Sequence, residues 1–381
     1  MTLNAFLHRD LCATGGEGPL AGVTIGVKAN IAVAGMPFHA GTGAWANRVA
    51  TEDAEVVRRL RAAGAAIAGI LNMEEAALGA KTDNPHFGPT HNPHHHGCSP
   101  GGSSGGSGAA VAAGECDVAL GTDTLGSVRI PAAHCGVYGF KPATQRISQE
   151  GLEPADPALD AIGPLARDLD LLERVARVIS DFGEGALEGT GAVLAQHGVA
   201  LHPAVARAFG AAVAALPEAP AGVTLAHPNG RIRYAAFIQV SRFLSGHLRG
   251  VPVSDHLARL LTYGSQRAED KWAQDQRILS RTGDEVRGIV ERHGWLIMPT
   301  VPNPPFPHSE AEPAAQADFT CLANIAGLPA ISLPAGWTDD GLPTGVQLVG
   351  REGHEAGLFA LARELDAKLL AYRPPGKGEE T

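Results

Sequence analysis

The chain has 381 residues, 44% apolar and 18% charged, with 48 Gly and 27 Pro. This is globular composition with many turns and length for one large core or two ordinary ones, and it excludes a disordered chain. A net charge of −10 without any Lys/Arg-rich block argues against a nucleic-acid or anionic-membrane surface.

The five cysteines, Cys12, Cys98, Cys116, Cys135 and Cys321, show no C-x-x-C spacing and are odd in number. They fit free thiols in a reducing compartment. The N-terminus lacks a basic region followed by a long apolar core, and no apolar run approaches the roughly 20 residues of a membrane span. A cytoplasmic protein is expected.

In chain order, "GVTIGVK" at 22–28 reads as a short buried strand. "EDAEVVRRLRAAG" has Val56, Val57 and Leu60 at helical spacing and stops at Gly64. "AAIAGIL" is a second buried strand. The Gly/Ser stretch "GCSPGGSSGGSGAA" at 97–110 leads into a small-residue helix, and "CDVALGTDT" is an apolar strand ending in a turn. Strands alternating with helices predict an α/β fold: a single large domain over 1–381, with a central mixed, mostly covered β-sheet surrounded by helices.

From about Arg167 to Leu261 the pattern turns mainly helical. Asp168 is a candidate N-cap for "LDLLERVARVI", and Pro203 suits a helix start. A long polar helix is expected over Gln266 to His293. Strands return at 295–300, 329–334 and 344–350, read as edges of the same sheet, before an amphipathic C-terminal helix. This makes 181–294 a mainly helical lobe on one side of the domain, expected to shape substrate specificity.

The Gly/Ser stretch admits several readings. A P-loop would need Lys after its glycines, and none follows. Gly101 to Gly105 nominally matches a G-x-S-x-G elbow, but "NPHHHGCSP" precedes it where an apolar strand should stand. A flexible linker is at odds with the regular elements on both sides. Downstream, Ser127 stands in a Gly-bearing turn just after a buried strand, and upstream Lys28 ends one. One Lys and two Ser can run amide chemistry without a histidine.

These segments resemble the amidase signature family. The motif Gly-Gly-Ser-Ser-Gly-Gly-Ser stands at 101–107, Gly-Thr-Asp-x-x-Gly-Ser-x-Arg-x-Pro-Ala at 121–132, and Val-Lys-x-Asn at 27–30. "FGPT", then "NP" within 87–93, and the pattern around "ADFTCLANIAGLPAISLPAG" add to the likeness, which covers roughly 21–180 and 295–370.

The resemblance implies the amidase signature fold and a cofactor-free, metal-free amide hydrolase working through an acyl-enzyme. Ser127 would be the nucleophile. Ser103, following a cis peptide bond from Gly102, would bridge it to Lys28, the general base. Lys28 must be uncharged to act. A free lysine titrates near 10.4, so burial has to lower it, and Ile25, Val27, Ile31 and Val33 make burial credible.

Backbone N–H groups of Thr124, Leu125, Gly126 and Ser127 are expected to form the oxyanion hole. Asp123 and Arg129 are expected to pair, either holding that turn or serving only as a strand-end salt bridge, and Ser104 to satisfy buried backbone groups of the Gly/Ser loop. Where the family commonly has Gly, this chain has Leu125, which either narrows the acyl pocket or demands an unusual turn. Phe38, His39 and Gly102 are candidate substrate contacts, with simple loop packing the alternative for the first two and for Trp45.

"HNPHHHGC" offers His91, His94, His95, His96 and Cys98, but histidines adjacent on one loop point apart and read as a solvated loop. Cys135 beside His134 reads as a packed thiol. The expected partner is a small amide: a carboxamide, an aryl amide or a ureide, with a homodimer left open. The alternative is the glutaminase subunit of a tRNA-dependent amidotransferase delivering ammonia to a partner subunit, which "LNMEEAALGAKTDN" at 71–84 resembles. Against it stand the 27 residues before Lys28, fewer than the usual helical extension. A degenerate scaffold is a third reading and rests on Leu125 alone.

Overall fold

A computed structural model describes residues 2–10 and 13–376; Cys12 lies outside the described residues. The strands are β1 (Phe6–Arg9), β2 (Thr24–Lys28), β3 (Ala66–Leu71), β4 (Asp83–Asn84), β5 (Gly88–Pro89), β6 (Val118–Asp123), β7 (Tyr138–Lys141), β8 (Ala161–Ala166), β9 (Ala192–Leu194), β10 (Ala221–Val223), β11 (Leu296–Pro299), β12 (Ala330–Trp337) and β13 (Pro343–Val349). β4 and β5 form a small hairpin, and the other strands make one mixed eleven-stranded sheet in the order β1-β3-β2-β6-β8-β7-β12-β13-β11-β9-β10.

The helices are α1 (Glu55–Ala62), α2 (Gly105–Ala112), α3 (Arg129–Cys135), α4 (Leu169–Ile179), α5 (Pro203–Ala214), α6 (Asn229–His247), α7 (Asp255–Ser265), α8 (Glu269–His293), α9 (Cys321–Ala326) and α10 (Glu355–Leu369). The fold is a single α/β domain. Helices cover the sheet, so its central strands lose the polar face of a half-exposed strand: Ile25, Val27, Val118 and Leu120 are all fully buried. None of the helices among the described residues is long and apolar enough to cross a membrane.

Local chemistry accounts for the elements that matter most. Asp168 caps α4, accepting from the Leu171 N–H at 2.7 Å, and the helix buries Leu172, Val175 and Ile179 on one face. α2, "GGSGAAVA", is buried at every position, because only small residues fit its two close approaches. A Cβ at Gly106 would lie 2.4 Å from the Asn72 carbonyl oxygen, and one at Gly108 would press on Pro131 and Cys135 of α3.

One expectation is corrected. The returning strands are not edges: β12 lies between β7 and β13, and the sheet ends at β1 and β10. The stretch 181–294 holds α5 to α8 and also adds two short strands to the sheet: β9 and β10 pair in parallel, and β9 pairs in parallel with β11. Three-residue strands are too short to show an alternation of their own, and their extended form comes from neighbours distant in sequence.

Candidate active site

β2 and β6 run parallel as neighbours, with Val27 opposite Leu120, so their C-terminal ends open on the same side of the sheet. In open α/β sheets such ends are where ligands bind. Lys28 is the last residue of β2, and β6 ends in Thr122 and Asp123. The loop entering α2 brings Ser103 against both.

Lys28 is fully buried. Its Nζ donates to Ser103 Oγ at 2.8 Å and to Thr122 Oγ1 at 2.7 Å. Burial pulls its pKa down to about 7, against the opposing pull of Asp160, Asp123 and Glu74. Lys141, also buried and held near 7, bonds two carbonyl oxygens instead, those of Pro142 and Leu328. A hydroxyl can pass a proton on and a carbonyl cannot, and this difference separates the two lysines.

The peptide bond from Gly102 to Ser103 is cis. Ser104 ties the loop to β6, its Oγ accepting from Thr122 N and donating to Thr122 O, both at 3.2 Å. Ser103 O accepts from Glu74 N.

The turn Thr124–Ser127 is fixed from beneath. Asp123 and Arg129 form a fully buried two-point ion pair, Nε to Oδ2 at 3.0 Å and Nη2 to Oδ1 at 2.9 Å. Burial pushes the Asp123 carboxyl up, but Arg129, Lys141 and Asn324 outweigh it and hold it below the usual range. Arg129 also donates to Gln347 and Asn324, and Asn324 Nδ2 donates back to the Asp123 carboxylate and carbonyl.

Thr320 Oγ1 donates to the Leu125 carbonyl at 2.6 Å. Gly126 has φ +135°, and a Cβ there would lie 2.1 Å from Thr320 Oγ1, so no other residue fits. With the carbonyl of Leu125 held this way, the N–H groups of Thr124, Leu125, Gly126 and Ser127 donate to no acceptor among the described residues. Four consecutive unpaired donors beside a cavity are what a developing oxyanion requires.

Ser127 lines a cavity of about 370 Å³. Its Oγ makes no hydrogen bond to Ser103 or to any other described residue. The apolar side chains of Leu78, Leu125 and Ile130 line it, together with Phe237 from α6 and Leu260 from α7. Leu125 has no positive φ and its side chain lines the cavity, while the positive φ of the turn falls on Gly126.

Phe38, His39 and Gly102 are not among the residues lining this cavity. Phe38 packs under the Arg48 guanidinium, as does Trp45. His39 stacks on Phe87 and accepts from the Gly41 N–H, and burial lowers its pKa to about 4. Gly102 is pinned against Ala80, 2.7 Å from where its Cβ would stand.

The histidine loop spends its side chains locally. His91 stacks on His96, and His94 bonds the Cys135 carbonyl. Among the described residues there is no group of three or more His, Cys, Asp or Glu spaced to hold a metal ion. The described cysteines Cys98, Cys116, Cys135 and Cys321 are buried free thiols.

The sequence reading missed Thr122, Asp160, Thr320, Asn324 and Gln347. Thr122 had a faint signal, as a polar residue inside an apolar strand two places before Thr124. The others lie far along the chain from the turn they hold.

A parallel-strand crevice with a buried neutral-range lysine, two serines and free backbone donors defines an enzyme acting on amide carbon–nitrogen bonds. Comparison with known proteins agrees. Residues 7–359 match the Amidase family. A glutamyl-tRNA(Gln) amidotransferase subunit from Methanothermobacter thermautotrophicus is 36% identical, the alignment covering 93% of this chain and 86% of that protein. The subunit of the same name from Deinococcus radiodurans is 35% identical over 92% of this chain and 84% of its own.

Among solved structures, the corresponding amidotransferase subunit from Thermotoga maritima superposes with TM-score 0.86 at 29% identity, covering 98% of this chain and 90% of that one. A structure described as an amidase gives 0.83 at 31%, covering 93% and 86%. The chain belongs to the amidase signature family.

Proposed function

We propose that this protein hydrolyses the amide bond of a small substrate through an acyl-enzyme on Ser127. The observation that carries the reading is Lys28: a fully buried amine held near neutrality whose only hydrogen-bond partners among the described residues are two hydroxyls. In its uncharged form Lys28 takes the proton of Ser103, and Ser103 takes that of Ser127 as its Oγ attacks the carbonyl carbon. The free N–H groups of the 124–127 turn receive the oxyanion. The proton returns along the same route to the leaving nitrogen, and water then releases the acyl group. Catalytic hydrogen bonds are often unmade before substrate arrives, which accommodates the unengaged Ser127 Oγ.

The lobe 181–294 belongs to this reading as the part that shapes specificity, because α6 and α7 supply one wall of the cavity. Buried free thiols favour work in the cytoplasm. The deciding experiment is Ser127→Ala with a trapping substrate: loss of the acyl-enzyme supports the assignment, and turnover near that of the unaltered protein rejects it.

A second reading has the stronger support from similarity. The curated relatives at 35–36% identity carry the name of a glutamyl-tRNA(Gln) amidotransferase subunit. On this reading the amide is glutamine's, and the ammonia passes to a partner protein. The apolar walls of the cavity and the narrowing by Leu125 favour the first reading. Ammonia release from simple amides by the purified chain supports hydrolysis on its own. Release only from glutamine, and only with co-purifying partners, supports the second.

A further inference from the structure

We propose that Gln316 and Arg233 form a polar subsite in the same cavity, and that the substrate is an amide carrying a second neutral carboxamide or ureido group. The proposal rests on the amide-hydrolase reading and goes further by naming what the acyl portion must contain.

Gln316 lines the cavity and is 1% exposed. Neither its Nε2 nor its Oε1 has a hydrogen-bond partner among the described residues. Besides Ser127, it is the buried residue lining the cavity whose polar side chain has no partner among the described residues, and both halves of its carboxamide are unpaired. An orphaned buried donor or acceptor is costly, so two on one side chain call for an occupant. The terminal torsion of glutamine is soft, so its plane can turn to meet one.

The subsite is held in register with the nucleophile. Gln316 lies four residues before Thr320, which bonds the Leu125 carbonyl, and two before Asp318, which accepts from Arg233 Nε at 2.6 Å. Arg233 projects from α6 into the same cavity, and its terminal nitrogens have no hydrogen-bond partner among the described residues.

The available groups select the ligand chemistry. Arg233 offers only donors, whereas Gln316 offers one donor face and one acceptor face. A substrate carbonyl satisfies Arg233 or Gln316 Nε2, and an adjacent N–H satisfies Gln316 Oε1. A carboxylate would leave Gln316 Oε1 unpaired. Asp318 already offsets the charge of Arg233, and the carboxylate of Glu312, also on the cavity wall, would repel an anion. A neutral group with both C=O and N–H therefore fits.

The test compares three substrate series of two to five methylenes: n-alkyl monoamides, the matching α,ω-diamides, and the matching ω-carboxyl monoamides. The expected kcat/KM of the best diamide exceeds that of its monoamide by at least about 10²-fold, since a site built to hydrogen-bond a group discriminates against its absence. In Gln316→Leu that preference falls to within about threefold, mainly through KM. Tm stays at or above that of the unaltered protein, because an unpaired amide has been removed. Gln316→Met serves as a second variant should Leu fail to fold.

A diamide preference unchanged by both variants, or a best substrate among the ω-carboxyl series, overturns the proposal. Labelling of Ser127 by a fluorophosphonate, run in parallel, separates the two failures. If labelling occurs while the diamide preference is absent, only the subsite is refuted. If turnover survives Ser127→Ala, the underlying hydrolase reading falls.

Discussion

Thr122 Oγ1 lies 2.7 Å from Lys28 Nζ, slightly nearer than Ser103 Oγ at 2.8 Å, and it also accepts from Asn30 Nδ2 at 3.3 Å. The amine is thus held from two sides; in the proposed mechanism Thr122 fixes its direction and Ser103 exchanges its proton. Thr122→Val keeps the shape and removes the acceptor. We expect kcat to fall about tenfold, and the acid limb of the pH profile to move to lower pH because the charged amine loses a partner. Thr122→Ser restores both; an unshifted limb in the valine variant counts against the arrangement.

The Lys28 titration sets the pH dependence. With its pKa near 7, kcat/KM rises with pH through about 7 and levels off above it, because the uncharged amine is the active form. Lys28→Ala loses most activity and leaves a residual rate that climbs at high pH.

Stability follows the same titration. The folded state binds fewer protons than the unfolded chain between about pH 7 and 10.5, so Lys28 costs stability below that window and nothing above it. Lys28→Met therefore raises Tm more below the window, at about pH 6, than near its upper end, at about pH 10, as scanning calorimetry would show. An equal change at both contradicts the depressed pKa.

Thr124 Oγ1 donates to Asp160 Oδ1 at 2.5 Å, while Asp160 Oδ2 accepts from the N–H groups of Ala155 and Asp156. This clamps the start of the 124–127 turn to the loop before β8. Thr124→Val should lower kcat about tenfold with little change in KM, since the donors are misaligned only where charge develops. A rise in KM with kcat intact would reassign Thr124 to ground-state binding.

Leu125→Gly opens the cavity wall. Bulkier acyl groups should gain about tenfold or more in kcat/KM relative to small ones, read across a panel of amides. An unaltered size preference would mean that Leu125 does not limit the pocket.

Gly126→Ala is the complementary case. Its Cβ would collide with Thr320 Oγ1, and φ +135° excludes it in any event, so we expect loss of activity together with a lowered Tm. Retained activity would show that the turn can be rebuilt around a side chain.

The central strands β2, β3 and β6, the N-cap of α4 and the two Gly/Ser-bearing segments were legible in the residues alone. Each of these is written in neighbouring residues: an apolar run, a capping side chain, a glycine that must accept a positive φ. The sequence also nominated Lys28, Ser103 and Ser127, since their motifs are local.

The residues that hold those three side chains in place emerge from long-range packing. Thr122 reaches Lys28 across a strand pair, Asp160 reaches Thr124 from beyond β7, and Asn324 locks Asp123 from α9. The same holds for the sheet's true edges and for the dismissal of Phe38 and His39 from the cavity. Contacts of this kind leave no local pattern, because they arise when distant segments pack, and packing is set by the whole chain's burial rather than by the spacing within any one stretch.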